Sequence, residues 1–444
     1  MNCLIQLIIF ALLANSFFDS AASAADTARP TVLRIHGSNT VGSKLAPVLV
    51  RQWLASKSYA VTGEEESALD ERRMSARNEK GEALIVEIHS HGSSTAFTDL
   101  AAGRADIGMA SRPIKPQELA TLKSLGKLDQ PCCEYVIALD GLLVIVHPNN
   151  PLREVRKETL RKIFSGEISD WAKLGAAAGK IQVYARDDRS GTYDTFAALV
   201  LNGAPLAASA RRYESSDELT DAVSHDPAGI GFVGFAYGHS AKRLAIADEG
   251  ATPIVPVAFN VGTEDYALSR RLFLYVPEQP QSPLARDFAD YVVSHAAQKA
   301  VDESGYISQA ITLKKVGSIA DAPPEYKELT TGADRLSLNI RFQPNQTKLD
   351  NKAVRDVERL AEFMARPENR TRRLMLLGFT DARETFPYLA MALSVERADA
   401  VADYLIAHKL TPHKVRGYGH AIPVADDANE HGRHQNRRVE LWIQ

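Results

Sequence analysis

The chain has 444 residues, of which 45% are hydrophobic and 24% charged, and its formal net charge is -3. This composition supplies enough apolar side chains for true hydrophobic cores, and the length predicts two or three domains rather than one. The near-neutral charge gives no general reason to expect nucleic acid as a partner.

The first 24 residues have the pattern of a secretory signal peptide. The apolar run "LIIFALLA" is too short to span a bilayer, and the small residues "AASAA" that follow it fit a cleavage site. No Lys or Arg precedes the run, so an uncleaved N-terminal anchor stays open as an alternative. We predict a signal peptide over 1–24 and a secreted chain from residue 25 onwards.

Residues 25–313 alternate short β-rich runs with helical patterns. "ALIVEI", "LLVIVHP" and "IQVYA" are of the first kind, and Leu45, Leu49 and Trp53 recur at helical spacing. This alternation is typical of an α/β domain with largely parallel sheets. Residues 62–82 are almost all charged or small, which predicts a solvated insertion within this domain.

Three stretches of this domain pass from a strand through a turn rich in Gly, Ser and Thr into a helix. They are "VLRIHGSNTVGSKLAP" (32–47), "LIVEIHSHGSSTAFTDL" (84–100) and "ARDDRSGTYDTF" (185–196). Such turns expose backbone N–H groups at the positive end of a helix, and Arg186 and Arg189 add charge at the third. A single turn of this kind is usually a plain N-cap. Three in one domain favour a site for a tetrahedral oxyanion.

A change of composition marks residues 314–334, where charge and a Pro pair replace apolar periodicity, and predicts a linker. Beyond it, the apolar residues from Leu336 to Phe342 alternate strictly, and Val354 and Leu360 fit a helical face. A strand "RRLMLLGF", a second helix and the strands "KVRGYG" and "RRVELWI" follow. The order βαβαββ over 335–444 predicts a small α+β domain.

Seven motifs of the first domain carry a family resemblance. They are "GSNTVGSKLAP", "GSSTAF", "ADIGMASRPIKPQEL", "ALDGLLVIVHPNNPL", "IFSGEISDW", "RDDRSGT" and "GIGFVGFAY". Together, over about residues 30–305, they resemble the periplasmic phosphate-binding proteins of phosphate ABC transporters. The resemblance implies two α/β lobes that close about a hinge on a dehydrated phosphate, with an ABC permease as a candidate partner.

By motif position, the resemblance implies anion ligands at all three turns. These are Thr40, Val41, Ser93, Arg186, Ser190, Gly191 and Thr192. Where the best-known members have an aspartate that accepts the proton of bound phosphate, this chain has Ser111, followed by Arg112. Without an obligatory acceptor, rejection of the fully deprotonated sulfate ion is in question. Ser111, Asp187 or Asp188 can accept the proton instead, and Arg112 can add charge.

The C-terminal motifs "GFTD", "LSVERADAVADYL" and "VRGYGHAIPVADDANEHGRHQNRRVEL" resemble those of OmpA-like peptidoglycan-binding domains. The resemblance implies non-covalent binding of wall-peptide diaminopimelate, whose zwitterionic end needs a carboxylate and a guanidinium. By position these are Asp381 and Arg397, supported by Asn345 and Arg437. The loop between Asp381 and Arg397 is one residue longer than usual. A fold-stabilising ion pair between Asp381 and Arg397 is the alternative.

We find no pattern for catalysis, a cofactor or a metal. His89 and His91 share one face of a strand, but no Cys, Asp or Glu at ligand spacing accompanies them, and we interpret His91 as lining or capping the anion cleft. Ser190 lacks a nucleophile-elbow motif and a base partner. His431 and His434 are expected to be solvated.

These observations predict a Gram-negative envelope protein that binds phosphate or a similar oxyanion in the periplasm, serving phosphate uptake or sensing. Its C-terminal domain is expected to hold it on peptidoglycan, with the outer membrane as a further candidate location. Two alternatives stay open. The first is a structural or interaction protein with a degenerate binding domain anchored to the wall, and the second is an enzyme that acts on phosphate esters.

Overall fold

The computed structural model describes residues 30–444, apart from 69, 176, 178, 189, 318 and 320. The predicted signal peptide and Arg189 therefore lie outside the described residues. Within the described part, no helix combines the length and the apolar character that crossing a membrane requires.

The first domain consists of strands and helices that alternate along the chain, as the sequence predicts. The strands are β1 (Thr31–Gly37), β2 (Tyr59–Ala68), β3 (Glu71–Asn78), β4 (Ala83–His89), β5 (Ile107–Ala110), β6 (Glu134–Val146), β7 (Glu154–Arg156), β8 (Gln182–Arg186), β9 (Arg211–Tyr213), β10 (Gly229–Gly234), β11 (Lys242–Arg243), β12 (Ala245–Ala247) and β13 (Ser269–Tyr275). The helices are α1 (Ala46–Ser56), α2 (Ser93–Ala101), α3 (Pro116–Thr121), α4 (Lys157–Phe164), α5 (Gly191–Phe196), α6 (Ser216–His225), α7 (Ala258–Gly262), α8 (Pro283–Val293) and α9 (His295–Glu303).

One long sheet runs through this domain in the order β2-β3-β4-β1-β5-β13-β6-β10-β8-β9. The pairs of β1 with β4 and β5, and of β8 with β9 and β10, are parallel. Strands β2, β3, β6 and β13 pair in antiparallel fashion. The predicted α/β class is confirmed, and the sheet is mixed rather than largely parallel.

Strand β6 joins two lobes, because it contributes to two separate hydrophobic cores. Its first half adds Tyr135 and Ile137 to a core with Trp53, and its second half adds Val144 to a core with Phe232. Burial of each large side chain stabilises its lobe by roughly 1.5–3 kcal/mol. The lobes therefore have their own cores and share strand β6.

The polar stretch 62–82 contributes most of an antiparallel hairpin at the sheet edge. Strand β2 pairs with β3, and β3 pairs with β4. Most side chains of β2 are exposed, while Met74 of β3 is buried. Arg51 of α1 fixes the hairpin through an ion pair 2.7 Å from Glu64. The insertion is solvated on β2, and it extends the sheet through β3.

The second domain has strands β14 (Leu313–Lys315), β15 (Asp334–Arg341), β16 (Leu374–Gly378), β17 (Lys414–Gly417) and β18 (Arg438–Ile443). Its helices are α10 (Pro324–Thr330), α11 (Asn351–Ala365), α12 (Pro387–Ala407) and α13 (Glu430–Asn436). The strand order is β14-β15-β18-β16-β17. The predicted α+β class is confirmed, with α13 as an additional short helix between the last two strands.

The segment predicted as a linker, 314–334, packs on the second domain. Strand β14 pairs with β15, and Tyr326 of α10 is buried among Phe379, Tyr418 and Trp442. The segment's apolar residues are too few and too scattered to indicate this from the sequence: Ala322, Tyr326 and Ala333 are buried in this core, and Val316, Ile319 and Leu329 pack against it. Strand β14 and helix α10 are thus packed on the second domain.

The two domains contact each other through buried charges. Asp265, in the loop before β13, accepts hydrogen bonds from Arg335 at 2.7 Å and from Arg341 at 2.9 Å. His431 and His434 were expected to be solvated, and this prediction is wrong. Burial between the domains lowers the pKa of His431 to about 4 and that of His434 to about 3. The contact between the domains shields both histidines from solvent, and the sequence around them does not indicate this contact.

Candidate functional site

The three predicted turns meet at the boundary between the lobes. Ser93, the first residue of α2, has its Oγ 3.2 Å from the Oγ of Ser111, which follows β5. From the other lobe, Gly191 opens α5, and a Cβ added to it would lie 2.6 Å from Ser111 Oγ and 3.7 Å from Thr40 Oγ1. The structure therefore brings Thr40, Ser93, Ser111 and Gly191 together.

Two of the predicted ligands also have local structural roles. Ser190 caps α5, since its Oγ accepts hydrogen bonds from the backbone of Thr192 at 3.2 Å and of Tyr193 at 3.4 Å. Val41 begins a π-helical turn, Val41–Leu45, and its side chain is buried in the core of the first lobe. The capped turn fixes the direction in which α5 begins.

Arg186 is a half-buried cation whose hydrogen-bond acceptors are neutral and which has one carboxylate nearby. Its Nε donates to Tyr213 O at 3.3 Å, and its Nη1 donates to Ser216 Oγ at 2.5 Å. The Asp187 carboxylate lies 3.8 Å from its Nη2. Burial lowers the pKa of Arg186, and the positive charge of Arg270 lowers it further against the opposing effect of Asp187. A bound anion would compensate this charge.

Arg270 is a residue of the site that the sequence analysis missed. It pairs with Asp140 at 2.7 Å, and both side chains are almost completely buried. The guanidinium also donates to Gly191 O at 2.9 Å, to Thr192 Oγ1 at 3.1 Å and to Thr40 Oγ1 at 3.4 Å. Arg270 thus connects the first and third turns across the lobes. Two consecutive arginines in the apolar strand "SRRLFLY" were the available signal.

The remaining polar residues of the region have partners of their own. Arg112 makes a two-pronged ion pair with Glu118, at 2.7 and 2.8 Å, so its charge is locally compensated. Asp188 is exposed and pairs with Arg212 at 2.8 Å. By contrast, Ser38 is fully buried after β1, and its Oγ has no hydrogen-bond partner among the described residues.

The second candidate site lies in the C-terminal domain. Asn345, Asp381, Arg397 and Arg437 all border it, but Asp381 and Arg397 are not paired with each other. Asp381 pairs with Arg437 at 2.8 Å, and Arg397 forms a two-pronged ion pair with Glu384. The sequence analysis missed Glu384, although it noted that this loop is one residue longer than usual.

The fold and the first site define a protein with the two-lobed binding-protein fold, which has polar and charged side chains at the boundary between its lobes and is followed by a small α+β domain. A family model described as "PBP superfamily domain" matches residues 24–296, and one described as "OmpA family" matches residues 341–437. The chain therefore belongs to the PBP superfamily and carries an OmpA family domain.

Several phosphate-binding proteins are similar to the first domain. The phosphate-binding protein PstS of Pseudomonas aeruginosa is 30% identical over 239 residues, which cover 50% of this chain and 73% of the relative. PstS of Bacillus subtilis is 29% identical over 223 residues, covering 50% and 70%. A solved ABC-type phosphate transport receptor from Vibrio cholerae is 24% identical with a TM-score of 0.49, covering 62% of this chain and 99% of that chain.

Proposed function

We propose that this protein captures phosphate, or a similar tetrahedral oxyanion, between the lobes of its first domain. The observation that carries this proposal is Arg186, a guanidinium only 14% exposed whose hydrogen-bond acceptors at Tyr213 and Ser216 are neutral, with the Asp187 carboxylate 3.8 Å away. A site that encloses a cation without fully compensating it gains free energy when an anion enters. The similarity to PstS proteins supports phosphate as that anion.

The first-domain ligands divide between the two lobes. Thr40 and Val41 with Ser93 and Ser111 come from one lobe, and Arg186 with the turn 190–192 comes from the other. Backbone N–H groups at the helix starts donate to the anion oxygens, and Arg186 supplies fixed charge. Arg112 adds little net charge to the site while Glu118 pairs with its guanidinium, and it would contact the anion directly only if this pair opened. Closure then removes water from the anion, which strengthens each charge-assisted hydrogen bond.

Ser111 makes the expected discrimination between anions weak. Its Oγ and that of Ser93 can each donate or accept, since a hydroxyl rotates to suit its partner. Such a pair accommodates protonated phosphate and deprotonated sulfate alike, whereas a fixed carboxylate acceptor would reject sulfate.

The second domain is proposed to hold the protein on peptidoglycan in the periplasm. Asp381 would bind the ammonium and Arg397 the carboxylate of diaminopimelate, with Asn345 and Arg437 supporting them. Because the two domains are joined by buried ion pairs, wall attachment would fix the position of the phosphate site as well. Such a receptor suits local delivery to an ABC permease or phosphate sensing.

Calorimetric titration of the mature chain with phosphate and with sulfate tests the proposal. We expect a single phosphate site in the wild type, and at least a hundredfold loss of affinity in Arg186→Ala. Arg156→Ala is the matched control, because Arg156 is an exposed arginine of the same lobe whose nearest carboxylate, Glu249, is 3.8 Å away. A folded, ligand-free sample that binds neither anion would overturn the proposal and favour a wall-bound interaction protein. A phosphatase assay with and without divalent metal should show no phosphate release.

A further inference from the structure

Three potential metal ligands lie together at the sheet edge beside the second anion turn. Glu71 of β3 is paired directly with His89 of β4, and His91 follows two residues later. His91 Nε2 lies 2.9 Å and His89 Nδ1 3.7 Å from the same Glu71 oxygen. The three ligand atoms lie within 4.8 Å of one another. Small side-chain movements would bring all three to the roughly 2 Å that a zinc ligand requires.

A buried imidazole lies against this cluster. The ring of His36 stacks on that of His89 with centroids 4.0 Å apart, and its Nδ1 is 2.8 Å from the Asp99 carboxylate. His36 is only 5% exposed, and its Nε2 has no hydrogen-bond partner in the described part of the chain. With Nδ1–H donating to Asp99, Nε2 then keeps a free lone pair.

We propose that Glu71, His89 and His91 bind a divalent transition metal of the zinc class. Two imidazoles and one carboxylate suit such ions better than magnesium or calcium, which prefer oxygen ligands alone. The sequence showed no carboxylate at ligand spacing from the histidines, because Glu71 reaches them through strand pairing. A bound metal would cross-link β3 of the polar hairpin to the turn that leads into Ser93, so the hairpin would contribute to the metal site.

Metal titration of the untagged full-length chain tests this site. After removal of metal with EDTA, we expect one equivalent of Zn²⁺ to bind by calorimetry, and Co²⁺ to give a visible absorption band typical of a protein site. Glu71→Gln and His91→Gln should each weaken Zn²⁺ at least tenfold, whereas His225→Gln, an exposed histidine of α6, should not. Absence of a Zn²⁺ site in the wild type, or unchanged affinity in both cluster variants, would overturn the proposal.

A second inference rests on an internal carboxylate in the C-terminal domain. Arg397 is completely buried, and its Nη1 donates to Glu384 Oε2 at 2.7 Å while its Nη2 donates to Oε1. The backbone N–H of Asn345 donates to the same Oε1 at 2.6 Å. Glu384 therefore fills the two-pronged donor set that the carboxylate of a wall peptide would need.

The loop that carries Glu384 is otherwise open to solvent. Phe386 and Tyr388, which follow it, are 66% and 76% exposed. Apart from the bonds of Glu384, the loop is held by the backbone N–H groups of Ala382 and Arg383, which donate to Asp427 at 3.1 Å and to Asp381 at 2.8 Å. Arg397, however, needs an anionic partner at all times, because an unpaired buried charge is strongly destabilising. Only another carboxylate can replace Glu384 at low cost.

From these contacts we infer that Glu384 competes internally with the wall peptide and must leave Arg397 before the peptide binds. This inference rests on the proposed peptidoglycan binding of the second domain. Wall attachment would then require displacement of Glu384, because the free energy needed to break the Arg397–Glu384 pair reduces the free energy gained when the wall peptide binds.

The test compares binding of the full chain to isolated peptidoglycan sacculi. We expect Glu384→Ala to bind at least tenfold more tightly than the wild type, and Glu384→Ala/Arg397→Ala to lose this gain. Glu396→Ala, an exposed glutamate one residue from Arg397, is the matched control. Acetate provides a second readout, because a small carboxylate should raise the Tm of Glu384→Ala and leave the wild type unchanged.

The outcomes separate this inference from the proposed function. Equal binding of the wild type and Glu384→Ala would overturn the competition and leave wall binding intact. No binding by either, with acetate stabilising Glu384→Ala, would support a carboxylate site at Arg397 and remove peptidoglycan as its ligand. No binding and no acetate effect would overturn both.

Discussion

Arg270 and Arg271 are consecutive residues of strand β13 that make contacts at different boundaries: Arg270 between the two lobes, and Arg271 between the two domains. Arg270 contacts Thr40 and Gly191 at the proposed anion site. Arg271 pairs with Glu264 at 2.6 Å and, across the domain boundary, with Asp350 at 2.6 Å. One strand therefore carries both the connection between the lobes and an ion pair between the domains.

Removal of Arg271 should destabilise the whole protein. Its side chain is only 16% exposed, and Arg271→Ala would leave Glu264 and Asp350 buried without their cation. Breaking one partner out of such a buried cluster costs about 3–5 kcal/mol. Urea unfolding at pH 7 measures this loss. Arg271→Ala combined with Glu264→Gln and Asp350→Asn should recover part of it, and a single variant as stable as the wild type would contradict a tight domain contact.

Gly191→Ala should weaken anion binding through a contact between the lobes. The added Cβ would lie 2.6 Å from Ser111 Oγ, so the lobes could not approach fully unless that hydroxyl rotated away from Ser93. We expect about a tenfold loss of phosphate affinity by calorimetry, equivalent to about 1.4 kcal/mol. Ser111→Ala removes the clashing atom, so Gly191→Ala/Ser111→Ala should bind no worse than Ser111→Ala alone. A full tenfold effect in both backgrounds would show that the clash is not the cause.

The helices and strands of this protein could be predicted from the sequence better than its ion pairs. The strict alternation from Leu336 to Phe342 is enough to predict β15, because the period of a strand is local. The turns before α2 and α5 were likewise visible as strand-turn-helix patterns.

Arg270, Glu71 and Glu384 were missed for a physical reason. Asp140 is 130 residues from Arg270 along the chain, so only the topology of the sheet brings them together. Glu71 meets His89 through the register of β3 on β4. Of the three residues, Glu384 was the easiest to predict, since an extra residue in a ligand-binding loop can be recognised from the sequence alone.

Acidification should loosen the contact between the domains. His431 is half-buried near Lys157, Asp248 and Glu264, and desolvation lowers its pKa to about 4 from the ordinary 6.5. The unfolded chain therefore binds more protons than the folded one below pH 6.5. Stability is complete above this pH and is lost as the pH falls towards 4. His431 alone should cost about 2 kcal/mol at pH 5, and the pKa of the nearby His434 is lowered in the same direction.

Urea unfolding of wild type and His431→Gln/His434→Gln at pH 7 and pH 5 measures this effect. The double variant should lose less stability on acidification than the wild type, because its interface holds no imidazole to protonate. His225→Gln, in an exposed position on α6, should follow the wild type. Equal pH dependence of all three proteins would mean that the interface histidines do not control acid stability.

An aspartate at position 111 should convert a permissive site into one selective for phosphate. Ser111 is 2% exposed and contacts Ser93, so Ser111→Asp would place a proton acceptor inside the closed site. Phosphate can donate its proton to that carboxylate, whereas sulfate would face an uncompensated like charge. We expect wild-type affinities for the two anions to differ by less than about a hundredfold and Ser111→Asp to increase the difference by at least about a hundredfold. Ser111→Asn, which has the same shape without the charge, should keep sulfate binding. A wild type that already rejects sulfate would show that another group, such as Asp187, accepts the proton.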